Sequence, residues 1–251
     1  MTIALIGALM IGLSLGLFGS GGSILTVPVL VYLLGQDEKV AIAGSLFIVG
    51  SISLIASLRG LKNIHWRSVI YFGIPGMMGT YMGAWLSQYV LGTVQLILFA
   101  LLMAAAAWSM LRGKATDTTQ QVPRASWQII ADGLVVGSIT GLVGVGGGFL
   151  IVPALALLGG LTMHVAIATS LVIIALKSFS GLYKYLDVLA DLNLTLDWYT
   201  LVLMAALGAA GSLIGAFLNG RLPQEQLKKL FGVFLLIMAV YILWKTAPNF
   251  F

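Results

Sequence analysis

The sequence predicts an all-α polytopic membrane protein made of two inverted-topology repeats, each a glycine-broken helix pair followed by three transmembrane helices. Of the 251 residues, 60% are hydrophobic and only 8% are charged, which leaves too few charges to cover a water-soluble surface. The mean hydropathy is +1.06. The chain is also duplicated, because 20 of the 48 residues from 12 to 59 recur 125 positions later. In both copies a glycine cluster interrupts a long apolar run, which indicates a helix that breaks inside the membrane.

The duplication also divides the chain. Residues 16–28 return as residues 141–153, and residues 76–84 return as residues 208–216, after seven extra residues in the second copy. The one polar stretch, residues 112–126, lies between the copies. We therefore expect a single integral membrane domain in which residues 1–111 form repeat 1, residues 112–126 form a cytoplasmic linker and residues 127–251 form repeat 2.

Eight apolar runs follow one another along the chain: 3–35, 40–58, 69–86, 93–111, 129–160, 165–185, 199–218 and 227–244. Six have the roughly 20-residue length of one membrane helix. The first and the fifth are too long, because a helix of a little over 30 residues would reach nearly 50 Å against a hydrocarbon core of about 30 Å. Each should break at its glycine cluster, either as a re-entrant hairpin or as two tilted crossings.

The basic residues predict the orientation. If each long run begins and ends on one face, each half crosses an odd net number of times and the halves are inverted. Nine basic residues then share one face: Arg59, Lys62, Arg67, Arg112, Lys114, Arg124, Arg221, Lys228 and Lys229. Three lie on the other face: Lys39, Lys184 and Lys245. The positive-inside rule makes the richer face cytoplasmic, so both termini are expected outside.

Composition excludes several classes of function. The chain has no Cys and two His, so thiolate chemistry and a metal site are not expected, and no cofactor motif is present. No Walker motif occurs, so the chain should not hydrolyse ATP itself. An enzyme would need a nucleophile facing a base at membrane depth, and we expect none. The basic residues lie in short loops, so they should set orientation in the lipid bilayer rather than bind nucleic acid.

The two glycine clusters carry a specific resemblance. Residues 19–28 and 144–153 both fit the pattern Gly-x-Gly-Gly-x-hydrophobic-x-x-x-Pro, and an Ala-x-Ala-x-Ser stretch follows each, at residues 41–45 and 166–170. A doubled motif in an eight-run chain of this length resembles the TauE/SafE sulfite exporter (TSUP) family. The resemblance implies a transporter in the bacterial inner membrane for a small sulfur-containing or organic anion, such as sulfite, sulfoacetate or a related sulfonate.

The residues themselves also point to an anion. A broken helix exposes free N–H groups at the start of its second arm, where the helix dipole is positive, and glycine lets a ligand approach the backbone. Two such ends could bind an anion near the membrane midplane. The predicted substrate-binding residues of the two clusters are Gly19, Ser20, Gly21, Gly22, Ser23, Gly144, Gly146, Gly147 and Gly148. The alternative is that these glycines only allow close helix packing.

Lys177 is the one basic residue well inside an apolar run, and its repeat equivalent is Ile52. A cation there needs a substrate, a carboxylate or water as partner, so Lys177 is a predicted counter-charge for the anion; the alternative is that it reaches for the loop. Ser45, Thr169 and Ser170 are candidates to line the path, or to bond to their own helix. Asp132 could carry a coupling proton, or lie at the interface.

The predicted function is therefore secondary transport of a small anion, with a proton or a sodium ion as the coupling ion where one is used. An anion channel and a non-transporting membrane partner subunit are the alternatives. Two broken helices favour an occluded binding site over an open pore.

Overall fold

The structure is a computed structural model that describes residues 2–19, 21–58, 60–112, 126–144 and 147–246. Its described residues form helices and no strands. The α-helices are α1 (Thr2–Phe18), α2 (Gly21–Pro28), α3 (Glu38–Ser57), α4 (Trp66–Ser68), α5 (Ile74–Leu86), α6 (Gly92–Arg112), α7 (Ser126–Val143), α8 (Gly148–Pro153), α9 (Met163–Asp191), α10 (Trp198–Asn219) and α11 (Gln224–Thr246). Among the described residues, six of these are long and apolar enough to cross a membrane: α3, α6, α7, α9, α10 and α11.

Both long apolar runs break as the glycines predict. The first divides into α1 and α2, and the second into α7 and α8. Each short arm ends at a proline, Pro28 or Pro153, and continues as a π-helical turn, Val29–Leu33 or Ala154–Leu158. Proline has no N–H and its ring displaces the preceding carbonyl, so the regular hydrogen-bond ladder cannot continue through it. A similar π-helical turn, Val69–Gly73, joins α4 to α5.

The short arm of the first break folds back along its long arm. A Cβ atom at Gly22 would lie 2.5 Å from Cβ of Leu15, and one at Gly7 would lie 2.9 Å from Cγ1 of Val29. The two arms of the first hairpin are therefore antiparallel and in close contact. The second arm, from Gly21 to Leu33, is about 20 Å long, which is shorter than the roughly 30 Å thickness of the hydrocarbon core.

The first helix of each half packs against a helix of the other half, and the two helices that receive this contact are repeat equivalents. α1 lies against α10, and α7 lies against α5. A Cβ atom at Gly12 would lie 1.8 Å from the Gly208 carbonyl oxygen, and one at its repeat equivalent Gly137 would lie 2.4 Å from the carbonyl oxygen of Gly76, the equivalent of Gly208. Only glycine permits backbones to approach this closely. The two interfaces are therefore formed by repeat-equivalent glycines.

The long helices α3 and α9 cross in the middle of the bundle. A Cβ atom at Gly50 would lie 3.1 Å from Cβ of Ser178, and one at Gly181 would lie 3.4 Å from Cδ1 of Leu46. The two helices are therefore antiparallel. Lys177 directly precedes Ser178, which lies at this contact. The helices α6 and α11 pack against each other.

Hydrogen bonds show which residues meet at each end of the bundle. At the basic end, Arg67 donates to Oγ of Ser126 at 3.3 Å, and the N–H of His65 donates to Oγ1 of Thr169 at 3.0 Å. At the opposite end, the Tyr32 and Thr246 hydroxyls lie 2.7 Å apart. The basic end takes its name from basic residues in or beside the helix ends there, which include Lys62, Arg67, Arg112 and Arg221.

Two of the helices begin at carboxylate caps. The Asp37 side chain accepts from the N–H of Lys39 at the start of α3. Asp197 accepts from both the hydroxyl and the N–H of Thr200 at the start of α10, and these hydrogen bonds lower the pKa of the Asp197 carboxyl. Such caps satisfy amides that have no partner within the helix.

Candidate functional site

The glycine breaks have backbone conformations and contacts that require glycine. Gly19, Gly144 and Gly147 have φ values of +70°, +72° and +73°, a region that side chains with a Cβ atom avoid. A Cβ atom would also lie 2.6 Å from Ile167 Cγ2 at Gly19, and 1.8 Å from Ile42 Cγ2 at Gly144. These glycines therefore have a packing role whether or not an anion binds beside them.

The carbonyl groups at each break receive hydrogen bonds from the other half. Ser170 Oγ lies 3.2 Å from the Gly19 oxygen, and its repeat equivalent Ser45 Oγ lies 3.0 Å from the Gly144 oxygen. Each hydroxyl also lies 2.8 Å from a carbonyl of its own helix, that of Ile167 or Ile42. A hydroxyl has one proton to donate, so each serine serves either its own turn or the break.

Two side-chain amides cap carbonyl groups two residues before the same breaks. Asn219 Nδ2 donates to the Leu17 oxygen at 2.6 Å, and Gln95 Nε2 donates to the Leu142 oxygen. Leu17 and Leu142 are repeat equivalents near the ends of α1 and α7, where helix carbonyls have no partner in their own helix. Each half therefore holds the other half's break in place.

Gln95 belongs to a larger network at the opposite end. The Lys39 amine donates to the Ser87 oxygen at 2.5 Å, to the Val90 oxygen at 2.7 Å and to Oε1 of Gln95 at 2.7 Å. The Tyr185 hydroxyl lies 3.2 Å from Gln95 Nε2 and donates to the Leu142 oxygen at 3.2 Å. Lys39 thus uses all three of its protons.

Lys177 lies at the crossing of α3 and α9 and is fully buried. Its Nζ has no hydrogen-bond partner among the described residues, and it lies 6.0 Å from the centre of the Phe72 ring. Gly76 makes room for its stem, because a Cβ atom there would lie 3.1 Å from Lys177 Cδ. The side chain does not reach a loop. A buried amine without a partner is costly, and this burial keeps Lys177 a candidate for a ligand contact within the membrane.

Two serines beside Lys177 were missed from the sequence. Ser178 follows Lys177 on α9, and its repeat equivalent Ser53 follows Ile52 on α3. Both are fully buried, and neither hydroxyl has a hydrogen-bond partner among the described residues. Their identity in the two copies and their place next to the Ile52 and Lys177 pair could have singled them out. Gln95 and Tyr185 had no such signal, because their repeat equivalents are Leu227 and Gly60.

The other predicted site residues lie in several places. Gly21 begins α2, and Ser23 is buried within it. Gly148 begins α8 and is buried. Thr169 is buried and accepts a hydrogen bond from His65, and Asp132 is half-buried on α7. Ser20 and Gly146 lie outside the described residues. No group of three or more His, Asp or Glu side chains that could hold a metal ion occurs in the described part of the chain.

The helices and their composition define a multi-pass integral membrane protein, and its relatives define the class more closely. Residues 4–242 match the model of the sulfite exporter TauE/SafE family. The chain therefore belongs to the TauE/SafE sulfite exporter family, a family of membrane transporters, and the resemblance in the sequence is confirmed.

Several relatives span nearly the whole chain. A "probable membrane transporter protein" of Xylella fastidiosa is 32% identical over 94% of this chain and 92% of its own length. Proteins of the same description are 27% identical in Methanocaldococcus jannaschii, over 93% of this chain and 91% of the relative, and 29% identical in Bacillus subtilis, over 91% and 92%. No solved structure matches the chain significantly.

Proposed function

We propose that this protein is a secondary transporter that moves a small sulfur-containing or organic anion, of the sulfite and sulfonate class, across the bacterial inner membrane. One observation carries the proposal: Lys177 presents a fully buried amine with no partner among the described residues at the middle of the bundle. An anion bound there would supply the missing partner. The buried Ser53 and Ser178 hydroxyls are further candidate donors to the anion, since neither has a hydrogen-bond partner among the described residues.

The glycine breaks complete the proposed site. α2 and α8 contact each other, and Ile24, Val27, Phe149 and Val152 share one buried cluster. Their N-terminal ends, at Gly21 to Ser23 and at Gly147 and Gly148, would each present a positive backbone dipole to the anion, one from the side of the basic end and one from the side of the opposite end. Ser45, Thr169 and Ser170 take positioning roles in this proposal, because their hydroxyls are engaged with the breaks or the neighbouring loop.

The same contacts support two inverted repeats, with residues 1–111 and 127–251 as the halves. The equivalent helices α3 and α9 run in opposite directions, and the contacts of Gly12 with Gly208 recur as those of Gly137 with Gly76. An inverted pair exposes equivalent sites to opposite faces, which is the architecture of alternating access. By the positive-inside rule the basic end is cytoplasmic, residues 112–126 form a cytoplasmic linker, and both termini lie outside. The coupling ion is a proton, carried by Asp132, or sodium.

Uptake into proteoliposomes tests the proposal. Labelled sulfite and sulfoacetate should accumulate with saturable kinetics, and an excess of the unlabelled anion should compete, whereas labelled choline should not enter. A rate that rises linearly with anion concentration would instead establish a channel. Uptake no faster than in protein-free liposomes, for every anion of the panel, would overturn the transport function and leave a partner subunit.

A further inference from the structure

The bundle has an open cleft at its basic end, and buried side chains occupy the equivalent place at the opposite end. The basic-end cleft has a volume of about 500 Å³ and lies between the end of α3, the start of α9 and the end of α10. Its polar lining is Asn63, His164 and Asn219, and Gly60 and Ala168 are among the small residues that leave it open.

The repeat equivalents of these residues close the opposite end. Tyr185 stands in the position of Gly60, is fully buried, and bonds to Gln95 and to the Leu142 oxygen. Lys39 stands in the position of His164, and its amine is held by three acceptors. Ala43, the equivalent of Ala168, is completely buried. The same fold is thus open at one end and closed at the other by three side-chain differences: Tyr185 for Gly60, Lys39 for His164 and Gln95 for Leu227.

We propose that the basic-end cleft is a binding subsite for the transported anion, with His164 as its contact, and that Lys39, Gln95 and Tyr185 are the closed gate that denies the anion access from the opposite end. This inference rests on the proposed transport function. It adds a site that the buried lysine does not occupy, and it assigns the described conformation to one that faces the basic end.

His164 is held ready for such a contact. Asn219 Nδ2 donates to the Leu17 oxygen, so its Oδ1 faces Nδ1 of His164 at 3.0 Å and accepts from it. This arrangement assigns the ring proton to Nδ1. Nε2 has no hydrogen-bond partner among the described residues. Both nitrogens of an imidazolium ring carry protons, so in that form Nε2 donates to the anion while Nδ1 stays bound to Asn219. Because Asn219 also caps the first break, a contact at His164 is linked directly to the hinge of α1 and α2.

The charge of the cleft suits an anion. None of the described residues that line it is acidic. The exposed basic side chains of the same end include Lys62, Arg67 and Arg221. A concave site of low dielectric beside one sign of charge concentrates ions of the other sign. A small anion approaching from this end would therefore meet a favourable potential before it met a specific contact.

The absence of cysteine from the sequence makes labelling of single cysteines a clean test. Ala168→Cys lies one helical turn from His164, on the same face of α9, and Ala43→Cys is its matched control in the other half. A membrane-impermeant methanethiosulfonate reagent, added from the basic end, should modify Ala168→Cys and leave Ala43→Cys unmodified from either side. The anionic sulfonatoethyl reagent should be favoured over the cationic trimethylammonioethyl reagent by about tenfold relative to a free thiol in solution. Because both reagents react with the same thiol, the ratio of their labelling rates does not depend on the intrinsic reactivity of that thiol.

Two further arms test the contact and the gate. His164→Gln in the Ala168→Cys background should lower the ratio of the two reagents towards that of the free thiol, and the remainder is the contribution of the surrounding basic side chains. Tyr185→Gly and Gln95→Leu each install the residue of the other half, and each should make Ala43→Cys reactive from the opposite end. Two gate variants are used because either one alone could fold poorly.

The outcomes separate this inference from the transport function. Labelling of Ala43→Cys in the parent, or no labelling of Ala168→Cys, overturns the one-sided access. An unchanged ratio in His164→Gln removes His164 from the subsite. None of these readouts requires transport, so a protein that labels as expected but takes up no anion would fail the proposed function alone.

Discussion

Lys177 and Ile52 occupy equivalent positions in the two halves, and the comparison isolates what the charge does. Ile52 packs against Gly208 as Lys177 packs against Gly76, so the site accepts an apolar side chain of similar reach. If the Lys177 amine pairs with a bound anion, Lys177→Met removes a charge-assisted contact, and affinity should fall by about 1.5–3 kcal/mol, or roughly tenfold to more than a hundredfold. Direct binding of sulfite or sulfoacetate to the purified variant measures this.

Stability provides the control for that prediction. Lys177→Met also removes a buried amine without a described partner, so the ligand-free melting temperature should stay level or rise. Ile52→Met makes the same new side chain at the equivalent position and should leave binding unchanged. Parental affinity in Lys177→Met would remove Lys177 from the site.

Gly144 allows backbone strain and steric contact to be separated. Gly144→Ala should cost roughly 1–2 kcal/mol for the left-handed conformation and about 1–3 kcal/mol more for the contact with Ile42. Gly35 also has a positive φ, +65°, but no atom lies within 4 Å of its added Cβ. Gly35→Ala should therefore show the first loss alone. Chemical denaturation in detergent measures both, and equal losses would show that the contact at Gly144 relaxes freely.

At the scale of the elements, each helix break depends on a serine of the other half. Ser45→Ala and Ser170→Ala should each lower stability by about 1 kcal/mol or more, because a buried break carbonyl loses its donor. Ser212 is equally buried but donates only within its own helix, to Ala209, so Ser212→Ala should cost less. Thermal melting of the three variants checks this. A loss in Ser212→Ala as large as in the other two would reduce all three serines to local hydrogen bonds.

Some of these elements could be predicted from the sequence and others could not. The breaks at residues 19–22 and 144–148 were predictable, because glycine clusters divided runs too long for one span. The π-helical turn before α5 was not, because no glycine cluster or excess length marked residues 69–86. The caps on Leu17 and Leu142 could not be predicted either, since Asn219 and Gln95 are not equivalent residues and meet the carbonyls only in the folded bundle.

The site itself was predictable where one residue was anomalous for its surroundings. Lys177 was singled out because a cation lay deep in an apolar run. Its burial without a described partner, the two serines beside it and the difference between the two ends required coordinates. They depend on how α3 and α9 cross, and a single amphipathic pattern does not specify that crossing.

At the scale of the whole molecule, the account requires that the two ends of the bundle face opposite sides of the membrane. Equivalent helices that run in opposite directions would then give the anion one site reached alternately from each side. Every proposal above, from the counter-charge at Lys177 to the gate at Lys39, depends on that orientation.

Sided labelling of single cysteines in oriented membrane vesicles tests this claim most directly. Thr116→Cys lies in the 112–126 linker, outside the described residues, while Leu91→Cys and Asp191→Cys lie exposed at the opposite end, one in each half. The account predicts that an impermeant thiol reagent labels Thr116→Cys from the cytoplasmic side, and labels Leu91→Cys and Asp191→Cys from the outside. Labelling of Thr116→Cys and Asp191→Cys from the same side would contradict the inverted arrangement of the two halves.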